Sequence, residues 1–281
     1  MRFSTLRTGL LAILSIGAAF GAGNLRAEED ASGVPAAAPV RAPEGSVIIN
    51  LPSADTIGEG SLQFLINHRF SDPVQGSTLH SFFSFFSGAS VGLGLSYAPI
   101  RNLEAGFFRG QTLEDWEIFA KYGLLASPGS PLHAAARIGG NIKGQKNFDD
   151  RASFFAQGIV AYTIGDRVRV SVVPTYSSRA AGLTDIPGVP LRRNIFNVPV
   201  ALSAAVTRTI NVQGEVVPKT NVNPAIGWIT AIEKTVPRHR FSFTVGTLRD
   251  STVDQYVASD FRGLSTHNIY FGFNITRFWN L

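Results

Sequence analysis

The chain has 281 residues, of which 25 are Lys or Arg and 20 are Asp or Glu, and it contains no cysteine. The lack of cysteine excludes disulfide bonds and thiolate metal sites, and suits a chain that crosses an oxidising compartment. No basic run is longer than "LRR" or "PRHR", which argues against nucleic acid as a partner. Mean hydropathy is slightly positive although no long apolar segment follows the N-terminal region, and this combination is typical of a membrane β-barrel.

Residues 1–27 have the form of a cleaved signal peptide. Two arginines precede an apolar run over residues 8–23, and the chain then becomes polar. The run is shorter than the roughly 20 residues that a membrane-spanning helix needs. We expect cleavage after Ala27, with Ala22 as the alternative, and therefore an exported protein with 22 basic and 20 acidic residues.

Residues 28–60 are predicted to precede the folded domain. Residues 28–45, "EEDASGVPAAAPVRAPEG", are rich in Ala and Pro without periodicity, which indicates an extended periplasmic tether. The next segment, "SVIINLPSADTIGEG", is more apolar but is interrupted by Pro52. It is consistent with a short strand, a periplasmic cap or a partial plug.

Residues 61–281 show alternation of apolar and polar residues in twelve segments, which predicts twelve β-strands. Most segments have a length near the roughly 9 to 11 residues with which a tilted strand crosses the bilayer. The predicted strands include residues 62–66, 89–97, 103–107, 116–124, 132–138, 154–164, 168–176, 196–206, 210–216, 226–232, 241–245 and 269–281.

The connections between these segments alternate in length. Every second one is a short turn, such as "PIRN", "GDR" or "TRT", whereas most of the others are long, such as "SDPVQGSTLHSFFSFFSG". Short turns at one rim and long loops at the other are typical of outer-membrane barrels. We therefore predict an all-β fold, a transmembrane antiparallel β-barrel of about twelve strands in the bacterial outer membrane.

Aromatic residues on the apolar faces are expected to form two girdles in contact with outer-membrane lipid. The girdle near the short turns would contain Tyr97, Tyr122, Tyr162 and Trp279, and the one near the long loops Trp116, Phe154, Tyr176, Phe196 and Trp228.

The last strand, "HNIYFGFNITRFWNL", is expected to pair with the first strand and close the barrel. Its apolar face and aromatic tip resemble the C-terminal signal by which the barrel-assembly machinery recognises outer-membrane proteins, although the last residue is Leu281 rather than phenylalanine.

Four segments together resemble an uncharacterised bacterial family of β-barrel porins that carry a domain of unknown function. They are "LPSADTIGEGSLQFLINHRFSD", "LGLSYAPIRNLEAGFFRGQTLEDWEIFAKYGLL", "TRTINVQGEVVP" and "YFGFNITRFW". The resemblance covers residues 51–281, and its most distinctive element is "HRF" at His68, Arg69 and Phe70. It implies an outer-membrane barrel. The position of "HRF" at the outer end of the first strand favours a role of Arg69 in anchoring the rim.

Catalytic motifs receive little support. "GASVG" matches the pattern of a hydrolase nucleophile elbow around Ser90, but such an elbow leads into a helix, whereas Ser90 leads into a predicted strand. The five histidines form no Ser/His pair whose proximity the sequence guarantees, and no spacing typical of a metal site. We expect no cofactor, no metal and no enzymatic activity, and a membrane-embedded esterase is the third hypothesis.

Polar residues on the opposite parity are predicted to face the interior of the barrel. The main hypothesis is that they line a path for passive diffusion of small solutes, as in a porin. The alternative is that they form ion pairs in a filled lumen, so that the barrel has a structural or adhesive role. The residues are Glu104, Glu117, Lys121, His133, Arg137, Gln157, Arg169, Gln213, Glu215 and Glu233.

The first long connection contains four phenylalanines, at positions 82, 83, 85 and 86. They are expected to lie on the membrane surface or to extend the second strand, and a gate is the alternative.

Overall fold

The computed structural model describes residues 45–74, 84–125, 129–144, 152–165, 167–180, 193–220, 226–249, 251–258 and 269–281. The predicted signal peptide lies outside these ranges, as does most of the predicted tether. The strands found within them are β1 (Ser61–Phe70), β2 (Ala89–Ile100), β3 (Leu103–Gly110), β4 (Asp115–Leu125), β5 (Leu132–Lys143), β6 (Ala152–Ile164), β7 (Val168–Val172), β8 (Thr175–Ala180), β9 (Arg193–Asn197), β10 (Val200–Ala205), β11 (Ile210–Val217), β12 (Gly227–Val236), β13 (His239–Gly246) and β14 (Tyr270–Asn280).

Prolines interrupt two strands of the barrel wall. β7 and β8 flank Val173 and Pro174 and both pair with β6. β9 and β10 flank Val198 and Pro199 and pair with β8 and β7. Since proline has no N–H to give to a ladder, each pair of segments is one wall strand with a break. The described residues therefore form twelve wall strands, as the alternation predicts.

The twelve wall strands close into an antiparallel barrel. Each pairs with its neighbours in chain order, and β1 pairs with β14 from Ser61 opposite Asn280 to Arg69 opposite Gly272. Closure satisfies the backbone groups that an open sheet edge would expose to lipid. The predictions of the barrel, of its strand number and of the pairing of the last strand with the first are confirmed.

The two ends of the barrel differ in their connections. Residues 101–102 and 237–238 form short turns at one end, whereas residues 71–88 and 247–269 connect strands at the other. Short turns face the periplasm in outer-membrane barrels, and long loops face outward. β1 therefore begins, and β14 ends, at the periplasmic end.

Residues along each strand alternate between the outer surface and a buried inner surface. In β1, Leu62, Phe64 and Ile66 face outward, whereas Gln63 and Asn67 are buried inside. Large apolar residues outside and polar residues inside are expected when lipid is the outer solvent.

Residues 45–57, called the lumen hairpin below, lie inside the barrel and enter from the short-turn end. Val47 forms an antiparallel bridge with Pro52, and the Ile48 N–H donates to the Leu51 carbonyl at 2.9 Å. Pro52 is accommodated because this short ladder needs no donor from it.

A second segment fills the lumen from the long-loop end. The connection between β13 and β14 forms helix α1 (Val253–Ala258), whose first five residues are buried. Ile49 and Leu51 of the lumen hairpin and Val253 and Tyr256 of α1 belong to one cluster of buried apolar residues, together with Phe155 of the wall. No helix in the described ranges is long and apolar enough to cross a membrane.

Candidate functional site: the filled lumen

The ten polar residues predicted to face inward all lie on the inner surface of the wall. Nine of them are buried and His133 is partly buried. Their role in lining a solute path stays a prediction. They are distributed over seven strands as Glu104, Glu117, Lys121, His133, Arg137, Gln157, Arg169, Gln213, Glu215 and Glu233.

Four of these residues form a row across neighbouring strands. Glu104 lies opposite Lys121, Lys121 opposite Arg137, and Arg137 opposite Gln157. Two cations directly opposite each other repel, so each needs a carboxylate. Lys121 Nζ is 3.2 Å from Glu104 Oε2, and Arg137 pairs with Glu117.

The tip of the lumen hairpin binds Glu215. The carboxylate of Glu215 accepts hydrogen bonds from the backbone amides of Ile49 at 2.7 Å, Asn50 at 2.9 Å and Leu51 at 2.9 Å. Consecutive amides that converge on one anion form the arrangement known as a nest. They satisfy a carboxylate that is only 1% exposed.

The base of the lumen hairpin binds the wall through Asp55. Asp55 Oδ1 is 2.7 Å from His133 Nδ1, and Asp55 Oδ2 pairs with the guanidinium of Arg169. Its backbone carbonyl accepts a hydrogen bond from Lys121 Nζ at 2.6 Å. One hairpin residue therefore contacts Lys121 on β4, His133 on β5 and Arg169 on β7.

Ser46 connects the first residues of the lumen hairpin to the same wall. Its hydroxyl donates to Glu104 Oε1 and accepts from Lys121 Nζ at 2.8 Å. The amide of Ile57 donates to the other oxygen of Glu104 at 3.3 Å. Both ends of the lumen hairpin are thus bound to one ion pair of the wall.

Arg69 lies inside the lumen. Its side chain is buried, with Nη2 donating to Asn50 Oδ1 at 2.9 Å and Nη1 donating to Asn274 Oδ1 at 2.7 Å. Asn274 in turn donates to the Ile49 carbonyl at 3.0 Å. These contacts join the tip of the lumen hairpin to β1 and β14, and the interpretation of Arg69 as a rim anchor stays a prediction. The neighbouring His68 faces outward, with its ring stacked on Phe273 at 4.4 Å.

Helix α1 is held by a buried charge cluster at the long-loop end. Lys143 pairs with Asp254 of α1, and its Nζ is 4.0 Å from Asp115 Oδ1. The hydroxyl of Thr252 donates to Asp115 Oδ2 at 2.6 Å. Two carboxylates and one lysine are thus buried together.

Two further hydrogen bonds connect α1 to residues that were predicted to face inward. The amide of Val253 donates to Glu117 Oε2 at 2.7 Å, and Gln157 Nε2 donates to the Tyr256 hydroxyl at 2.7 Å. Burial raises the pKa of Tyr256, so this hydroxyl stays protonated at physiological pH.

Two small cavities lie among these groups. A cavity of about 40 Å³ lies between the lumen hairpin and the wall, with Asn50, Asn67 and Arg137 in its lining, and another of about 10 Å³ lies beside Glu233. Such volumes hold one to a few water molecules. The lumen hairpin and α1 therefore obstruct these parts of the lumen.

The aromatic residues predicted as girdles all lie on the outer surface. Phe154 and Phe196 are the most exposed, at 67% and 63%. The set is Tyr97, Trp116, Tyr122, Phe154, Tyr162, Tyr176, Phe196, Trp228 and Trp279. Their contact with lipid head groups stays a prediction.

The phenylalanine-rich connection also contributes to the outer surface. The ring of Phe85 lies 5.0 Å from that of Phe70 and 5.6 Å from that of Phe271, and Phe86 is 79% exposed. Phe85 therefore packs outside the wall rather than in the lumen. Phe82 and Phe83 lie outside the described residues.

Ser90 lies within β2, on the inner face, and its hydroxyl is 2.9 Å from that of Thr112. Its segment is a continuous strand and not a strand-to-helix turn, as its sequence context predicts.

Sequence reasoning missed Asp55, Asp115, Lys143 and Asp254. Asp55 carries no recognisable signal, because a single carboxylate in an irregular segment has no pattern. For α1 a signal exists: "TVDQ" at residues 252–255 has the spacing of a helix capping box. In the structure the Thr252 hydroxyl and the Gln255 amide instead donate to Asp115 and to the Thr112 carbonyl.

The sequence profile of a family described as "Membrane bound beta barrel domain (DUF5777)" matches residues 44–279. Among solved structures, the chain is similar to the NanC porin, with a TM-score of 0.51 and 10% identity over 77% of this chain and 99% of that one. It is also similar to outer membrane phospholipase A from Escherichia coli, with a TM-score of 0.45 and 11% identity over 77% and 89%.

LpxR from Salmonella typhimurium has a TM-score of 0.36 and 11% identity over 79% of this chain and 100% of that one. No curated protein sequence matches the chain. At these identities the first of the three structures supports the fold and nothing finer. The family profile and the barrel together confirm the predicted location in the bacterial outer membrane.

Proposed function

Because this chain belongs to the family of membrane-bound β-barrel domains, we propose that it is an outer-membrane channel for small solutes that the lumen hairpin closes at rest. In this proposal the protein is a passive channel and not an enzyme. Opening requires displacement of the lumen hairpin, followed by movement of α1.

The observation that carries the proposal is that the lumen hairpin lies inside the barrel without being part of its wall. The wall closes through β1 and β14, and the ladder bridge of the lumen hairpin is internal, from Val47 to Pro52. The hairpin can therefore leave without breaking any strand pair of the wall.

The chemistry of the contacts also favours a reversible plug. The lumen hairpin is held by hydrogen bonds and ion pairs to Glu104, His133, Arg169 and Glu215. Buried ion pairs add little stability over apolar packing, because desolvation of the charges offsets their attraction. Water can replace the hairpin at such groups, so a polar wall loses less on opening than an apolar one would.

A closed barrel with a structural or adhesive role is the second candidate, favoured by the small size of the two cavities beside the lumen hairpin. The two candidates differ in a single property, which is whether the lumen conducts when the lumen hairpin is weakened.

We would test this with the full chain in planar bilayers, comparing the parent with Glu215→Gln. We expect brief, discrete openings of the parent. The variant should open more often, because an amide oxygen accepts the three backbone hydrogen bonds less strongly than a carboxylate. A loss of about 1.5–3 kcal/mol corresponds to a roughly 10- to 100-fold higher ratio of open to closed states.

The matched control is Glu233→Gln. Glu233 is an inner glutamate of β12 whose described hydrogen bonds, with Asn211 and Ser242, remain within the wall. We expect its open probability to equal that of the parent. Folded Glu215→Gln barrels that never conduct would refute the channel and leave the closed barrel.

A further inference from the structure

We propose that Arg169 and His133 form a binding site for the carboxylate of a small anionic solute, and that Asp55 occupies this site as an internal competitor. The inference rests on the proposed channel function, since these residues belong to the lumen that the hairpin closes. It adds a solute class and a reason for the lumen hairpin to move.

The geometry of Asp55 is that of a bound carboxylate. Its two oxygens go to two different wall residues, Oδ1 to His133 Nδ1 at 2.7 Å and Oδ2 to the guanidinium of Arg169. Arg169 is oriented by a hydrogen bond from Nε to Thr163 Oγ1 at 3.1 Å. The wall thus presents two donors that engage both oxygens of one carboxylate.

His133 is the second wall residue of this site. Its Nδ1 faces Asp55 Oδ1, and its Nε2 is 2.9 Å from the Ser130 carbonyl oxygen. Both ring nitrogens therefore lie within hydrogen-bonding distance of an oxygen atom, which orients the ring toward Asp55.

The local charges depend on Asp55. The nearby Lys121 and Arg137 have their own wall partners, Glu104 and Glu117. Within the described part of the chain, Asp55 is the carboxylate that pairs with Arg169 and with His133. Displacement of the lumen hairpin therefore leaves the guanidinium of Arg169 without its carboxylate at the short-turn end of the lumen, where its charge attracts anions.

A solute with a carboxylate then competes with Asp55 for the same donors. A ligand that binds only the hairpin-displaced state shifts the population toward that state. Carboxylate solutes should open the lumen, whereas neutral solutes of the same size should not.

The test measures displacement of the lumen hairpin rather than current. Ala54 is fully buried in the lumen hairpin, and the chain has no cysteine, so Ala54→Cys introduces a single thiol as a reporter. The full chain carrying this substitution is treated with a thiol-reactive probe in sodium acetate, and in sodium chloride with or without acetamide, at constant ionic strength.

We expect the labelling rate in acetate to be at least about fivefold higher than in chloride and to saturate with acetate concentration. Adding acetamide to the chloride solution should leave the rate unchanged. Adding Arg169→Gln should raise the basal rate and abolish the response to acetate. Adding Asp55→Ala should lower the acetate concentration of half-maximal effect, because the competitor is gone. Each variant is first checked for a folded, heat-modifiable barrel, so that a misfolded one is not scored.

Equal labelling in acetate and chloride, or an acetate response that persists with Arg169→Gln, would overturn the carboxylate site. The result is independent of the bilayer experiment. If Glu215→Gln conducts but acetate does not change labelling, the channel function stands and the carboxylate site is refuted. If acetate changes labelling but no variant conducts, the channel function is refuted and the hairpin is sensitive to anions for another reason.

Discussion

Individual charged residues of this barrel bind the lumen hairpin and α1 to the wall. Glu215 accepts three backbone amides of the lumen hairpin, and Lys143 lies between Asp115 and Asp254 near α1. The side chains of these four residues are at most 1% exposed, so each depends on its hydrogen-bond or ion-pair partner to offset the cost of removing its charge from water. Removing one partner should destabilise the structure by more than the interaction itself contributes, because the other charge then stays buried without a partner.

Lys143→Met tests this at the α1 cluster. The variant leaves two buried carboxylates without a cation, and we expect a local cost of about 3–5 kcal/mol. Amide exchange of residues 252–257 should accelerate, and the double variant Lys143→Met/Asp254→Asn should recover part of the protection because it removes one charge. Lys234→Met is the control, since Lys234 is exposed on the outer surface. Unchanged exchange in Lys143→Met would mean that the cluster does not hold α1.

At the scale of elements, the strands of the wall follow a sequence pattern, whereas the lumen hairpin does not. Each wall strand has one face in lipid and one inside, so alternation along the sequence predicts it. The lumen hairpin touches the wall on several sides and has no such period. Its position depends on contacts such as Asp55 with Arg169, which join residues more than a hundred positions apart.

The strands, their number, their closure and the inward parity of the ten polar residues were therefore predictable from the sequence. The filling of the lumen was not, because alternation assigns a side chain to a face and does not say what lies against it. Arg69 illustrates the limit: its inward parity was correct, but its partner Asn50 belongs to a segment without a pattern.

The apolar tip of the lumen hairpin gives a prediction at this scale. Ile49 is completely buried in the cluster shared with α1. Ile49→Ala should therefore cost about 2–5 kcal/mol through lost packing and a cavity. We expect faster amide exchange over residues 46–53 and unchanged exchange in β11. The control is Ile232→Ala, because Ile232 is 60% exposed on the outer face. Protection that stays at the parental level in Ile49→Ala would show that the cluster is not what holds the tip.

At the scale of the whole molecule, the stability of the barrel should be separable from the position of the lumen hairpin. The wall is one closed sheet from β1 to β14, to which the hairpin contributes no strand. Variants that loosen the hairpin should therefore alter opening with little effect on the unfolding of the wall.

The comparison of Ile49→Ala with Gly246→Ala tests this separation. A Cβ at Gly246 would lie 2.3 Å from the Trp228 carbonyl oxygen and 2.5 Å from Ile229 Cα, so the wall itself must shift, at a cost of about 1–3 kcal/mol. Heat-modifiability on gels should show a lower unfolding temperature for Gly246→Ala and a nearly parental one for Ile49→Ala. Gly214→Ala is the control, because its nearest neighbouring atom is 4.0 Å away. An equal fall in unfolding temperature in Ile49→Ala and Gly246→Ala would mean that the lumen hairpin and the wall unfold as one unit.

The proline breaks have a mechanical consequence for this barrel. Pro174 and Pro199 interrupt adjacent wall strands, and the Val173 amide donates across to the Pro199 carbonyl at 2.8 Å. Each proline removes one backbone donor, so this pair of positions, called the crease here, has fewer hydrogen bonds to resist bending than a stretch without proline. Lateral pressure from the surrounding membrane should therefore deform the cross-section first at this crease, while the seam between β1 and β14 keeps its shape.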